Sequence, residues 1–277
     1  PMLETPSQFG PGQPKEGQFW KVFFPSLTAM VGFWATLSLN IPDFTRYAKS
    51  QRDQVLGQAL GLPTTMTLFA FIGVAVTSAT TTIFGEPIWD PTVLLGRMGG
   101  GFTIGLSLFA LTIATLSTNI AANVVSPANA LINVSPQRIG FRMGAYITAG
   151  LGIVMMPWKL MADSSGYIFT WLIGYSALLG PIGGILVADY FLVRKTVLDV
   201  DGLYRHDGPY AYKAGFNPAA LAALLLAVLP NLPGFLHRIG VIESFPALAL
   251  FDELYTYAWF LGFGLAAASY AALMALL

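Results

Sequence analysis

The sequence predicts an all-α integral membrane protein with about seven transmembrane helices. Three observations carry that prediction. Hydrophobic residues make up 55% of the 277 residues and charged ones only 10%. A soluble domain carries roughly 25% charge, so too little charge remains here to wet a soluble surface. The apolar residues are blocked into seven runs of about 20, the length that crosses a bilayer. The Lys and Arg residues between the runs alternate from rich to poor, as the two faces of a membrane require. Aromatic residues at 13% exclude a disordered chain. A balance of 14 basic against 14 acidic residues offers no basic excess for nucleic acid and no polybasic patch for surface attachment. The absence of Cys excludes disulfides, thiolate metal sites and Cys nucleophiles.

The seven runs cover residues 19–39, 60–84, 100–125, 140–157, 167–193, 216–232 and 254–277. Residues 1–17 are polar and rich in Pro and Gly, and they read as a loop rather than a signal peptide. After the first run come Arg46, Lys49 and Arg52; after the second, Arg97. Arg138 and Arg142 follow the third, and Lys159 the fourth. Arg194, Lys195, Arg205 and Lys213 follow the fifth, and Arg238 the sixth. The richer loops are expected in the cytoplasm. That puts the N-terminal stretch outside and the C-terminus inside, which an odd number of spans satisfies.

Polar groups inside a membrane span are costly, so they face protein, water or a ligand. The third run is the richest in them. Ala114, Ser117 and Thr118 stand at i, i+3 and i+4, on one helical face. A carbonyl and two hydroxyls there can act as hard oxygen ligands for an alkali cation. The same residues can equally pack and hydrogen-bond between helices, and spacing alone does not separate the two readings. In the first run Gly32 stands at mid-span beside Phe33 and Trp34. Either Gly32 breaks the helix and opens backbone to a cavity, as in transporter sites, or it permits close packing. Trp34 either stacks on a planar ligand or faces a neighbour. The fifth run carries Gly180 and Pro181, a hinge or gate on one reading and a packing seam on the other. Asp189, near its end, is expected to pair with Arg194 or Lys195.

No enzyme chemistry is legible. Gly99, Gly100 and Gly101 lack the Lys-Ser/Thr of a phosphate loop. His206 and His237 lie in separate loops, which argues against a histidine metal site. No pair of intramembrane carboxylates is available for acid–base work. Tyr204, Arg205, His206, Tyr210 and Tyr212 read as a polar aromatic loop that anchors at the interface. Residues 230–234 read as a turn.

Several motifs together resemble the nucleobase–cation symporters of the first type, which include allantoin, hydantoin, uracil and cytosine permeases. They are Asn40-Ile41-Pro42-Asp43-Phe44-Thr45-Arg46-Tyr47-Ala48-Lys49-Ser50-Gln51, then Ser117-Thr118-Asn119-Ile120-Ala121-Ala122-Asn123 with Ser126-Pro127-Ala128-Asn129. Met155-Met156-Pro157-Trp158-Lys159, Leu179-Gly180-Pro181-Ile182 and Ala188-Asp189-Tyr190-Phe191-Leu192 follow in family order. The resemblance implies a leucine-transporter-like fold of two inverted five-helix repeats and two peripheral helices. Residues 19–193 would be the second repeat, 1–18 an extracellular loop remnant, 194–215 a cytoplasmic loop and 216–277 the peripheral pair. The first repeat, which holds the rest of the binding site, would be the missing partner. By the same resemblance Trp34 stacks on a small planar heterocycle, Asn123 hydrogen-bonds it, and the backbone at Phe33 touches it. The Ala114 carbonyl and the Ser117 and Thr118 hydroxyls would hold sodium, although some relatives use protons. No cofactor is implied. The expected protein is a cation symporter of the plasma membrane, or else a fragment that does not transport. On an ideal helix Asn123 and Ala114 point about 180° apart, so substrate and cation must use different flanks unless the helix is distorted.

Overall fold

The computed structural model describes residues 7–163, 166–205, 207–243 and 245–276, so His206 lies outside the described residues. The described secondary structure is helical apart from one β-bridge between Lys213 and Phe216. In chain order the helices are α1 (Phe19–Asn40), α2 (Pro42–Thr45), α3 (Gln51–Phe84), α4 (Pro91–Arg97), α5 (Gly101–Asn123), α6 (Val125–Val134), α7 (Phe141–Val154) and α8 (Pro157–Met161). Then come α9 (Ile173–Ala188), α10 (Pro218–Val228), α11 (Leu232–Arg238), α12 (Leu248–Thr256) and α13 (Ala258–Ala275). A π-helical turn precedes α9 at Tyr167–Leu172 and another follows it at Asp189–Val193. Among the described residues six stretches are long and apolar enough to cross a membrane: Phe19–Asn40, Gln51–Phe84, Gly101–Val134, Ile168–Val193, Pro218–Arg238 and Ala258–Ala275.

The chain divides into two compact units. One holds Pro1–Gly17 and Ile41–Met155, the other Gln18–Asn40 and Met156–Leu277. The grouping places α1 with the last three spans rather than with its sequence neighbours.

In the first unit α3 is the longest helix. Ser50 caps it by accepting from the Asp53 N–H at 3.1 Å, and Gly85 ends it at φ 79°. A positive φ is where glycine is favoured over residues with a Cβ. Beyond it the chain folds back, and the Ile88 N–H donates to the buried Thr80 hydroxyl at 2.8 Å. Asp90 caps α4 by accepting from the Thr92 N–H and hydroxyl, at 2.7 and 2.6 Å, and these bonds hold its carboxyl below the usual range. The third predicted span does not stop at residue 125. It continues through α6 to Val134, and there Asn129 Nδ2 donates to Asp43 Oδ1 at 3.0 Å, tying α6 to α2. Gly144 lets α7 press on α6: a Cβ there would sit 2.9 Å from the Ala128 carbonyl oxygen. The predicted run 140–157 forms a helix of 14 residues, Phe141–Val154. Met156, at φ 48°, and Pro157 interrupt it before α8. Proline at the first position of α8 cannot donate back into α7, so one long helix cannot form.

The second unit is built on close backbone contacts. Thr28, Ala29, Gly32 and Ala35 form the buried stripe of α1. A Cβ on Gly32 would collide with the Leu172 carbonyl and the Ser176 hydroxyl. Ser176 Oγ donates to the carbonyls of Thr28 at 3.1 Å and Leu172 at 3.0 Å, and Thr28 Oγ1 donates to the Thr256 carbonyl at 2.6 Å. The helix therefore runs unbroken through Gly32, and the broken-helix expectation gives way to packing. Gly180 and Pro181 sit in a similar close contact. Helix α9 passes through both without a break, and the irregular backbone lies in the π turns at its two ends. A Cβ on Gly180 would lie 2.8 Å from the Trp259 carbonyl oxygen, and one on Gly262 would lie 2.8 Å from Pro181 Cδ. Gly180 meets Trp259, Gly184 meets Phe263 and Asp189 meets Tyr270, so α9 and α13 run parallel.

The sixth predicted span also extends past its expected end. Pro230 and Pro233 take first-turn positions, where no helical N–H is needed, and helix continues to Arg238 instead of turning at 230–234. The seventh begins later than expected, because α12 ends at Thr256 and α13 starts at Ala258.

At the other end of this unit lies a polar cluster. Arg194 Nε donates to Asp189 Oδ2 at 2.8 Å, as the sequence led one to expect. Tyr270 OH donates to Asp189 Oδ1 at 2.6 Å, and Asn217 Nδ2 donates to Tyr270 OH at 3.2 Å. Arg194 also donates to Tyr212 OH and lies 4.3 Å over the Tyr210 ring. The loop after α9 is thus tied to the last helix by side chains.

Candidate functional site

The expected substrate and cation residues fall on two helices, one in each unit. On α5 in the first unit, regular α-helix runs from Gly101 to Asn123 and no residue is buried. Ser117 Oγ donates to the Ala114 carbonyl at 3.0 Å. Two of the three expected cation ligands are therefore already adjacent, and Thr118 follows on the same face. All three are exposed. Carbonyl and hydroxyl oxygens are the donor type that suits a hard cation. Rotation of the Ser117 hydroxyl away from the carbonyl would turn its oxygen outward and leave the Ala114 carbonyl, held in the helix ladder, with a lone pair uncommitted.

One turn further on, Asn123 Nδ2 donates to Asn119 Oδ1 at 2.6 Å. An amide carries two N–H donors and a carbonyl acceptor, so Asn123 keeps one donor and its Oδ1 for another partner. Asn119 holds the amide in one orientation. Sequence reasoning passed over Asn119, although its i, i+4 spacing to Asn123 was in view. Because α5 is undistorted, Ala114 and Asn123 occupy opposite flanks, about 180° apart.

On α1 in the second unit, Gly32 and Ala35 face inward and Phe33 is 53% exposed. Trp34 is half-buried, and its ring meets that of Phe33 edge to face with centroids 5.4 Å apart. The close seam on Gly32 sets the rotation of α1. It turns Phe33 about 100° around the helix from the Gly32 contact and leaves the Trp34 ring partly open. Gly180 and Pro181 lie in the α9–α13 seam, against Trp259 and Gly262. Among the described residues no group of three or more His, Cys, Asp or Glu could hold a metal ion. His237 instead pairs with Asp252, its Nδ1 3.0 Å from Oδ2.

Membrane-length helices that carry exposed hydroxyls and amides in one unit, and an aromatic pair on a tightly packed helix in the other, define a helical membrane protein of the permease class. Residues 3–262 match the family of permeases for cytosine and purines, uracil, thiamine and allantoin, and the chain belongs to that family. It is 55% identical over 229 residues to a purine-uracil permease of Arabidopsis thaliana, covering 82% of this chain and 38% of that protein. It is 45% identical to an allantoin permease of Bacillus subtilis, covering 88% and 47%. It is 32% identical to a hydantoin permease of Microbacterium maritypicum, covering 80% and 47%. Among solved structures it is similar to the inward-facing conformation of Mhp1, with a TM-score of 0.65 and 28% identity, over 92% of this chain and 51% of that one. The fold is thus the leucine-transporter-like one that the motifs implied. The chain spans about half the length of these relatives, or less.

Proposed function

We propose that this chain supplies the second-repeat half of a cation-coupled permease for a nucleobase or a related planar heterocycle such as allantoin, uracil, cytosine or hydantoin. One observation carries the reading. Ala114, Ser117, Thr118, Asn119 and Asn123 are exposed on a helix that is long and apolar enough to cross a membrane. Polar groups in that setting are tolerated when they face a ligand, water or protein. On this reading Trp34 stacks on the heterocycle, Asn123 bonds its ring amides, and the backbone at Phe33 contributes a further contact. The Ala114 carbonyl and the Ser117 and Thr118 hydroxyls ligate the transported cation, sodium in preference to a proton. Cation and substrate occupy opposite flanks of α5, and each raises the affinity for the other by linkage. The rest of the site belongs to the first repeat. The second reading, a fragment that does not transport, is separated from the first by the uptake test.

The proposed topology keeps seven crossings of the plasma membrane, with the C-terminus in the cytoplasm. Lys21, Val22 and Pro25 at the start of α1 share a cavity with Phe169 and Ile173 at the start of the fifth span. Both spans then start on one face of the membrane, so an odd number of crossings separates them. Gln51–Phe84 and Gly101–Val134 supply two. Residues 141–161 complete the third, despite the short helix there.

Uptake of radiolabelled allantoin, uracil, cytosine and hydantoin, with and without a sodium gradient, tests the reading. Saturable uptake of one of them, lost in Trp34→Ala and in Asn123→Ala, is the expected result. Unchanged uptake in both variants overturns the substrate site. Uptake indifferent to sodium overturns the ion assignment, and no uptake of any of the four favours the fragment.

A further inference from the structure

We infer that the second unit carries a seat for the phosphate of an anionic phospholipid, between the start of α1, the start of the fifth span and the α11–α12 corner. A cavity of about 190 Å³ lies there, lined by Lys21, Val22, Pro25, Phe169, Ile173, Arg238, Tyr255 and Thr256. Two of its lining groups are cations, and no carboxylate lines it. Neither Lys21 nor Arg238 forms an ion pair among the described residues. The nearby carboxylate of Asp252 is already held by His237. Lys21 is the third residue of the span Phe19–Asn40, and Arg238 is the last residue of the span Pro218–Arg238. Both therefore stand at one end of the apolar slab, at headgroup depth. The expected outer face is the one poor in basic residues, yet two of its few cations converge on this cavity. Val22, Pro25, Phe169 and Ile173 give the cavity an apolar side that suits the first methylenes of an acyl chain, and the Tyr255 and Thr256 hydroxyls that complete the wall are already donated to the Thr170 and Asp252 carbonyls. Basic pockets between membrane helices bind anionic lipid headgroups on the cytoplasmic side of other membrane proteins, and the same charge chemistry applies here. The apolar wall favours a lipid over a free phosphate, and the two share the same anionic group.

The test is the thermal stability of the purified protein in micelles doped with phosphatidylglycerol, phosphatidylcholine or inorganic phosphate. Phosphatidylglycerol is expected to raise the melting temperature in a saturable way, with phosphatidylcholine and phosphate inert. Each cation near an anionic surface is worth about fivefold in affinity, so Lys21→Gln with Arg238→Gln should weaken the phosphatidylglycerol response about 25-fold. Arg97→Gln with Lys159→Gln removes the same charge elsewhere and should leave the response intact. Equal weakening in the two double variants, or none in the first, overturns the seat. Stabilisation by inorganic phosphate as strong as that by the lipid overturns the lipid assignment. If the first double variant fails to fold, Lys21→Gln alone, with an expected fivefold loss, decides the matter.

Discussion

Two glycines of the second unit give a matched test of how its helices are held. Gly184 and Gly264 both lie inside helices of the α9–α13 pair. A Cβ on Gly184 would overlap the Phe263 carbonyl oxygen and lie 3.0 Å from its carbon and 3.1 Å from its Cα. Carbon atoms pack best at about 3.5–4.0 Å, and backbone cannot swing aside, so the helices must part by roughly 0.5–1 Å. Overpacking of this kind costs about 1–3 kcal/mol. The better helix propensity of Ala returns up to about 1 kcal/mol. Gly184→Ala is therefore expected to destabilise by about 1–2 kcal/mol. Gly264 has nothing within 4 Å of its would-be Cβ. Gly264→Ala makes no clash and keeps the propensity gain, so it should be neutral or stabilising by up to about 1 kcal/mol. Denaturant titration in detergent, read by tryptophan fluorescence, gives both values. Equal shifts for the two variants, or a stable Gly184→Ala, would refute the idea that a backbone-to-backbone seam holds α9 against α13.

Other expectations follow from the side chains. Tyr270→Phe removes a donor 2.6 Å from Asp189 and an acceptor of Asn217. A hydrogen bond to a charged group is worth about 1.5–3 kcal/mol, so a loss near 2 kcal/mol is expected; a titration midpoint that does not move argues against the cluster. Asp189→Asn should cost more, since it leaves the Arg194 guanidinium, 17% exposed, without its counter-charge, and the same titration ranks the two variants. Asn119→Ala frees the Asn123 amide to rotate, and one lost orienting bond of about 1 kcal/mol raises the uptake KM about fivefold with the maximal rate retained. An unchanged KM would show that Asn119 does not position Asn123. Ser117→Ala removes a hydroxyl from the expected cation ligands without disturbing packing, because α5 buries no residue. It should raise the sodium concentration for half-maximal uptake while leaving the melting temperature unaltered.

What the sequence by itself determined is what depends on the local chain. Membrane spans follow from the hydropathy of consecutive residues, so six of the seven expected runs reappear as helices of crossing length. The run 140–157 was divided by a local event, the left-handed Met156 ahead of Pro157. The hydroxyls and amides of α5 were legible because so few polar residues interrupt its apolar run. The tertiary structure decided which neighbour each small residue meets. Gly32, Gly180 and Pro181 read equally as hinges or as seams, since a glycine without a neighbour carries no sign of its use. Only the structure brings the Leu172 and Trp259 carbonyls against Gly32 and Gly180, and Gly262 against Pro181. The Asp189 cluster shows the same division. Its pairing with Arg194 five residues away was visible in sequence, but Tyr270, 81 residues on, reaches the same carboxylate because α9 and α13 run parallel in contact. Sequence sets how apolar and how long a segment is; the partner across a helix seam is set by shape, which appears only when the helices meet.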